Sequence, residues 1–98
     1  PPERNMPAMA DIIRTPQQLG NLIRRQRRKL GLTQAALGVR TGQRQSMISQ
    51  IEQGYPSLRL DTLIDLLAAL DLDLQAAPRD RSTVDDAIAR MLLGGNDD

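Results

Sequence analysis

Cysteine and histidine are both absent from the 98-residue chain. Their absence excludes disulfides, thiolate catalysis, imidazole metal ligands and the side chain that most often acts as a general base near neutral pH. Phenylalanine and tryptophan are also missing, and tyrosine occurs once, at Tyr55. The core must therefore be aliphatic, which suits packed helices better than a β-sandwich or barrel.

Further absences bear on membranes, metals and catalysis. No apolar run approaches the roughly 20 residues that span a bilayer, and the N-terminus lacks the apolar core of a secretory signal. We therefore expect a cytoplasmic, nucleoid-associated protein with no membrane partner. The pairs Asp71 with Asp73 and Asp85 with Asp86 lack the further ligands of a calcium site. Because there is also no nucleophile–base pair or glycine-rich phosphate loop, we predict no catalytic residue, metal, cofactor or enzymatic activity.

Charge is unevenly distributed along the chain. Residues 1–54 carry nine Arg and Lys against three Asp and Glu, whereas residues 55–98 carry four against nine. A basic half joined to an acidic half indicates either two different partners or two solvated faces. The basic cluster of the first predicted helix is open to the same two interpretations, phosphate contact or solvated surface; its members are Arg24, Arg25, Arg27, Arg28 and Lys29.

Periodicity and end signals predict four helices in the central part of the chain. Thr15 followed by Pro16 is a helix start, and Gly31 is a helix stop. Gly42 suits a tight turn that requires positive φ. The predicted helices cover about Pro16–Leu30, Gln34–Arg40, Arg44–Gln53 and Leu60–Leu70.

After the fourth helix the apolar pattern changes from helical spacing to strict alternation. Leu70, Leu72, Leu74 and Ala76 alternate with polar residues, which predicts a half-buried β-strand. A lone strand leaves its edges unpaired. It could pair with its own copy in a second subunit, with the N-terminal arm, or with its own subunit. We expect the first, which makes these four residues a dimerisation element.

We divide the chain into four parts on these patterns. Residues 1–14 are a disordered leader and arm, of which the first eight could be non-native. Residues 15–70 are the helix-turn-helix domain, residues 71–78 the dimerisation strand, and residues 79–98 a C-terminal helix with an acidic tail. That last helix, about Thr83–Leu93, could pack on the core, exchange between subunits or become ordered only on a partner.

The second and third predicted helices, with the turn between them, have the dimensions of a helix-turn-helix. Polar side chains on the third helix suit base edges, because Arg pairs with guanine, Gln with adenine, and Ser both donates and accepts. The second helix begins at Gln34, whose N–H donors can contact a phosphate. The predicted DNA-contacting residues are Thr33, Gln34, Arg44, Gln45, Ser46, Ser49 and Gln50.

The stretch LTQAALGVRTGQRQSMISQIEQG, residues 32–54, resembles the helix-turn-helix of the lambda-repressor-like (XRE) family. The resemblance implies a mainly α DNA-binding domain of four to five helices. It also implies that Gln34 clamps a phosphate and supports Gln45, which reads a base. Some members carry a buried pair at positions that match Arg27 and Glu52, so we expect this pair to be scaffold.

Three residues depart from the family pattern. Thr41 and Gln43 stand where an apolar residue is usual. Gly38 replaces the usual alanine, which costs about 1 kcal/mol in helix propensity.

The continuation of the chain resembles HipB-type antitoxins. The segments LDTLIDLLAAL and DLDLQ, together with Arg44 and Gln45, carry this resemblance. It implies a C-terminal β-strand that pairs across a homodimer, repression of the protein's own operon through operator DNA, and binding of a HipA-like kinase toxin. A stand-alone XRE repressor without a toxin and a protein-interaction module on the same fold are the alternatives.

Overall fold

A computed structural model of the protein describes residues 11–79, and this part of the chain is mainly α-helical. All four predicted helices are confirmed, and no end differs from the prediction by more than one residue. The expected final helix, the acidic tail and the first ten residues lie outside the described residues. The helices are α1 (Pro16–Lys29), α2 (Gln34–Thr41), α3 (Gln45–Glu52) and α4 (Leu60–Ala69).

The ends of α1 and α2 follow from local hydrogen bonding. Thr15 caps α1 in a reciprocal arrangement in which its hydroxyl oxygen accepts from the Gln18 N–H at 3.1 Å. The Gln18 carboxamide oxygen accepts in turn from the Thr15 N–H at 3.2 Å. Thr33 caps α2 by accepting from the Ala36 N–H at 3.0 Å. These caps satisfy donors that would otherwise lack a partner at each helix start.

The core lies where all four helices meet. It consists of aliphatic side chains only, and each contributes roughly 1.5–3 kcal/mol when it is fully removed from water. In the described chain α2 packs against both α3 and α4, and α1 packs against α3. The buried side chains are Ile23 of α1, Leu37 of α2, Ile48 and Ile51 of α3, Leu66 and Leu67 of α4, and Leu70 just after α4.

The turn between α2 and α3 explains two of the departures from the family pattern. Gly42 has φ of +70°, and the Gln43 N–H then donates to the Gly38 carbonyl at 2.8 Å. Gly38 is buried, and a Cβ there would collide with the Gln43 carbonyl oxygen. Its low helix propensity is therefore offset by the close approach that it permits. The Thr41 hydroxyl donates to the Leu37 carbonyl at 2.8 Å, so this polar residue is satisfied within its own helix.

The alternating segment begins in a helix cap, and no β-strand occurs within residues 11–79. Asp71 has a left-handed φ of +59°. The Leu72 N–H donates to the Leu67 carbonyl at 2.8 Å and the Asp71 N–H to the Ala68 carbonyl at 3.2 Å. These bonds form a Schellman motif. The strand predicted from Leu70 is therefore absent from the single chain, because its first residues end α4 and no ladder partner flanks the rest.

Neither a membrane-spanning helix nor a metal-holding cluster occurs within residues 11–79. None of α1 to α4 is long and apolar enough to cross a membrane. No cluster of acidic side chains between residues 11 and 79 has the grouping that holds a metal ion.

Candidate nucleic-acid interface

The predicted recognition helix α3 presents a polar face to solvent. Arg44, its N-cap, is exposed and makes no side-chain capping bond. The opposite face is fixed in the core by Ile48 and Ile51. Two aliphatic anchors one turn apart hold the helix in one orientation and leave its polar face available. On that face Gln45, Ser46 and Gln50 are exposed and Ser49 is half-buried.

The start of α2 supplies a second polar element. The Thr33 hydroxyl oxygen accepts one hydrogen bond in the helix cap, and its O–H remains available as a donor. The half-buried Gln34 side chain donates from Nε2 to Glu52 Oε1 at 3.1 Å. One amide hydrogen of Gln34 remains, beside the backbone N–H groups of the first turn. The structure thus holds Gln34 against α3 and still leaves donors that suit an anion.

Glu52 is the centre of a buried polar cluster formed by Arg24, Arg27, Gln34 and Glu52. Arg27 donates to its carboxylate twice, from Nε at 2.5 Å and from Nη2 at 3.1 Å, and also donates to the Leu32 carbonyl at 2.7 Å. Arg24 Nε lies 3.6 Å from Glu52 Oε1, with 41% of its side chain exposed. This Glu52 cluster joins α1, α2 and α3, and the bidentate geometry is the strong form of an arginine–carboxylate pair.

The electrostatics of Glu52 follow from competing effects. Burial alone would raise the pKa of this carboxyl group. Hydrogen bonds from Arg27 and Gln34, together with the positive charges of Arg27 and Arg24, outweigh burial and hold the pKa below its ordinary value. Glu52 is therefore ionised near neutral pH. Every buried side-chain polar atom in the described part of the chain has a hydrogen-bond partner, so the cluster is satisfied as a unit.

The basic residues of α1 divide into three groups. Arg27 is buried in the Glu52 cluster, and Arg24 lies at its edge. Arg25 Nη2 pairs with Asp11 Oδ1 at 3.1 Å and so links α1 to the segment before it. The remaining two, Arg28 and Lys29, are exposed at the end of α1.

The four residues predicted to form a dimerisation strand lie in different environments. Leu70 is wholly buried in the core of its own chain, and Leu72 packs against that core. Leu74 is 59% exposed and Ala76 is also exposed. In the single chain, only the last two present their side chains to solvent.

Two contacts of the interface scaffold were not predicted. Gln26 Nε2 donates to the Leu70 carbonyl at 2.9 Å, which ties α1 to the end of α4. The second is the hydrogen bond from Gln34 to Glu52. An amide side chain at a helical position has no periodic signature that reveals its partner, so neither bond could be found from the pattern of residues.

Comparison with known proteins supports this architecture. The sequence model of the helix-turn-helix family matches residues 23–76, more than half of the chain. An uncharacterized HTH-type transcriptional regulator of Haemophilus influenzae is 40% identical over 52 residues, which are 53% of each protein. The chain thus spans about half the length of this curated relative.

Solved structures of HipB share the fold. HipB in a HipA-HipB-O2-O3 complex has a TM-score of 0.66 and 28% sequence identity, over 72% of this chain and 100% of that one. A HipB-O4 20mer complex matches with the same values. The likeness to XRE-type and HipB-type proteins inferred from the residues is confirmed by these matches. The chain belongs to the helix-turn-helix family.

Proposed function

We propose that the protein is a sequence-specific DNA-binding transcriptional regulator that binds operator DNA as a homodimer and represses its promoter. The observation that carries this proposal is the polar face of α3, which combines an exposed Arg44 with exposed Gln45, Ser46 and Gln50 on an anchored helix. Family membership supports the same function. The proposed activity involves no catalytic step, metal or cofactor.

In this proposal the N-terminal end of α3 enters the major groove. Arg44 donates to guanine and Gln45 pairs with adenine, while Ser46, Ser49 and Gln50 contact neighbouring base edges or bridging waters. Thr33 and Gln34 donate to a phosphate and so fix the register of α3 on the duplex. The scaffold pair of Arg27 and Glu52 holds α1 against α3 beneath this surface.

The dimer follows from the residues beyond α4. We propose that residues 15–70 are the DNA-binding unit and that residues 71–78 pair across two subunits. Leu74 and Ala76 would gain a partner surface, whereas Leu70 and Leu72 would anchor the segment to its own domain. Two α3 helices would then lie about 34 Å apart and read a palindrome.

The first experiment is a titration of the protein with DNA from its own upstream region, at low and at physiological salt. Scrambled DNA of the same length is the control. We expect two chains per site, preference for the upstream DNA, and an affinity that falls steeply with salt because Arg and Lys displace counterions from phosphates. Equal or absent binding to both DNAs would contradict the proposal and favour a protein-interaction module.

A pair of variants separates base reading from charge. Arg44 and Arg59 are both exposed N-cap residues that make no side-chain capping bond, one on α3 and the other on α4. Arg44→Ala should weaken the free energy of operator binding by about 1–3 kcal/mol and relax specificity at one operator position. Arg59→Ala also removes a cationic N-cap side chain, one that is paired with Asp61 through two hydrogen bonds, and should leave base preference unchanged. The same relaxation in both variants would show that α3 does not read bases.

We further propose that the regulator is the antitoxin of a HipA-like kinase toxin and represses the operon that encodes both. The likeness to HipB in a complex with HipA supports this partner. The acidic C-terminal half of the chain, residues 55–98, is the proposed contact surface. Co-expression with a kinase-like protein encoded next to it, followed by purification, should give a stable complex. A chain that represses its promoter with no such neighbour would instead be a stand-alone regulator.

A further inference from the structure

Two segments from opposite ends of the described chain line one cleft. We name residues 11–14 the arm and residues 72–79 the extension; neither is helical. The arm and the last five residues of the extension, Gln75–Arg79, enclose a volume of about 300 Å³. No residue of α3 lines this cleft.

The segments beside this cleft carry exposed apolar side chains. Ile12 is 61% exposed and Ile13 is 38% exposed on the arm, and Leu74 is exposed on the extension. The arm is also tethered, because Asp11 pairs with Arg25 and the Arg14 N–H donates to Gln18 Oε1 at 2.5 Å. A tethered segment with apolar side chains in water indicates a surface that another element covers.

We propose that this cleft receives the extension of a second copy of the chain. The resulting sheet has four strands in the order arm, incoming extension, resident extension, and arm of the second copy. The inference rests on the homodimer of the proposed function and adds the arm to its interface. A two-fold axis between the two extensions generates the whole arrangement, as an isologous contact requires.

Strand energetics favour this arrangement over pairing of the two extensions alone. A two-stranded ribbon is at best marginally stable in water, whereas three or more strands with an apolar face are stable. Two extensions by themselves would also leave both outer edges unpaired. An arm on each side pairs with those edges and brings one of its two consecutive isoleucines next to Leu74 of the incoming segment, since neighbouring residues of a strand face opposite sides.

Charge complementarity points to the same occupant. Arg14 and Arg79 contribute positive charge to the lining of the cleft, in which Asp11 is already paired with Arg25, and the incoming extension carries Asp73. Opposite charges across neighbouring strands are favourable, and like charges are unfavourable. A copy of this chain therefore offers an apolar residue, Leu74, and an acidic residue, Asp73, to the two kinds of residue at the cleft.

The absence of cysteine makes a direct test possible. One chain carries Ile13→Cys, and a second chain with a longer affinity tag carries Ala76→Cys. The two are mixed, allowed to exchange subunits and treated with a short bis-maleimide. The proposal predicts a covalent product that contains one chain of each kind. A third chain with Val39→Cys, which places the thiol on a residue of α2 that is 84% exposed, is the control and should not cross-link to the arm variant.

A second measurement separates failure of this inference from failure of the dimer itself. Sedimentation equilibrium gives the dimer dissociation constant of the parent, of Ile12→Asp and of Val39→Asp. Ile12→Asp should raise the constant about tenfold or more, because a buried apolar side chain is replaced by a charge, and Val39→Asp should not. A stable dimer without arm-to-extension cross-links, or with no response to Ile12→Asp, would overturn the role of the arm. A monomeric parent would overturn the homodimer and this inference together.

Discussion

Gly20 lies where α1 crosses the C-terminal end of α3, and replacing it with alanine sets two known effects against each other. Helix propensity favours alanine over glycine by about 1 kcal/mol in a helix interior. A Cβ at this position would lie 2.5 Å from the carbonyl oxygens of both Ile51 and Glu52. Both oxygens belong to the backbone, so relief requires α3 to move away from α1. Overpacking of this kind costs about 1–3 kcal/mol, and two simultaneous contacts that are each about an ångström too short favour the upper end.

We therefore expect Gly20→Ala to lower the free energy of unfolding by about 2 kcal/mol, despite its better helix propensity. Urea denaturation followed by circular dichroism measures the difference. Asn21→Ala is the matched control, because the next residue of the same helix is exposed and gains only the propensity term. A Gly20→Ala protein as stable as the parent, or more stable, would refute the close crossing of α1 and α3.

Three further changes test the polar cluster and the helix caps. Since the pKa of Glu52 is lowered in the folded chain, its stabilising effect is present above the unfolded-state pKa and is lost as pH falls through the folded-state pKa. Glu52→Gln should lower the free energy of unfolding by about 3 kcal/mol at neutral pH, because it leaves the buried Arg27 without an opposite charge. It should also reduce the loss of stability at low pH, measured by urea titrations at decreasing pH. Asp71→Gly should raise the melting temperature modestly by relieving a left-handed φ, whereas Asp71→Val should lower it. Thr33→Ala should lower the free energy of unfolding measured by chemical denaturation by about 1 kcal/mol, whereas Thr33→Ser should retain most of that stability.

The helices could be predicted because their signals are local. Thr15, Thr33 and Gly42 each act within a few residues of their own position, through a hydroxyl cap or a left-handed turn. The contacts that hold the interface together join distant parts of the chain instead. Gln34 reaches Glu52 across 18 positions and Gln26 reaches Leu70 across 44. Whether two such residues meet depends on the angle and position at which the helices cross. Helix propensity and periodicity contain no information on how helices cross.

Gly38 shows how a local rule can be given the wrong weight. Helix propensity marks it as a cost, yet its missing side chain is what allows the Gln43 carbonyl to approach α2. The family pattern places alanine at this position. The stabilisation from close packing of the turn is therefore specific to the way in which this chain packs α2 against the start of α3. Helix propensity describes one helix in isolation, whereas the requirement for glycine at this position comes from the contact between α2 and the turn before α3.

The alternating segment after α4 illustrates a different limit. Leucine at every second position is compatible with a strand, but it also satisfies a Schellman cap, in which the residue after the left-handed position packs against the last turn of the helix. In the single chain the cap is formed, because Leu70 and Leu72 both gain contacts with the core. Leu74 gains none of this burial. The pattern therefore divides at Leu72. Its first half is explained by the fold of one chain, whereas its second half is not, and the proposed dimer would supply the surface that Leu74 lacks.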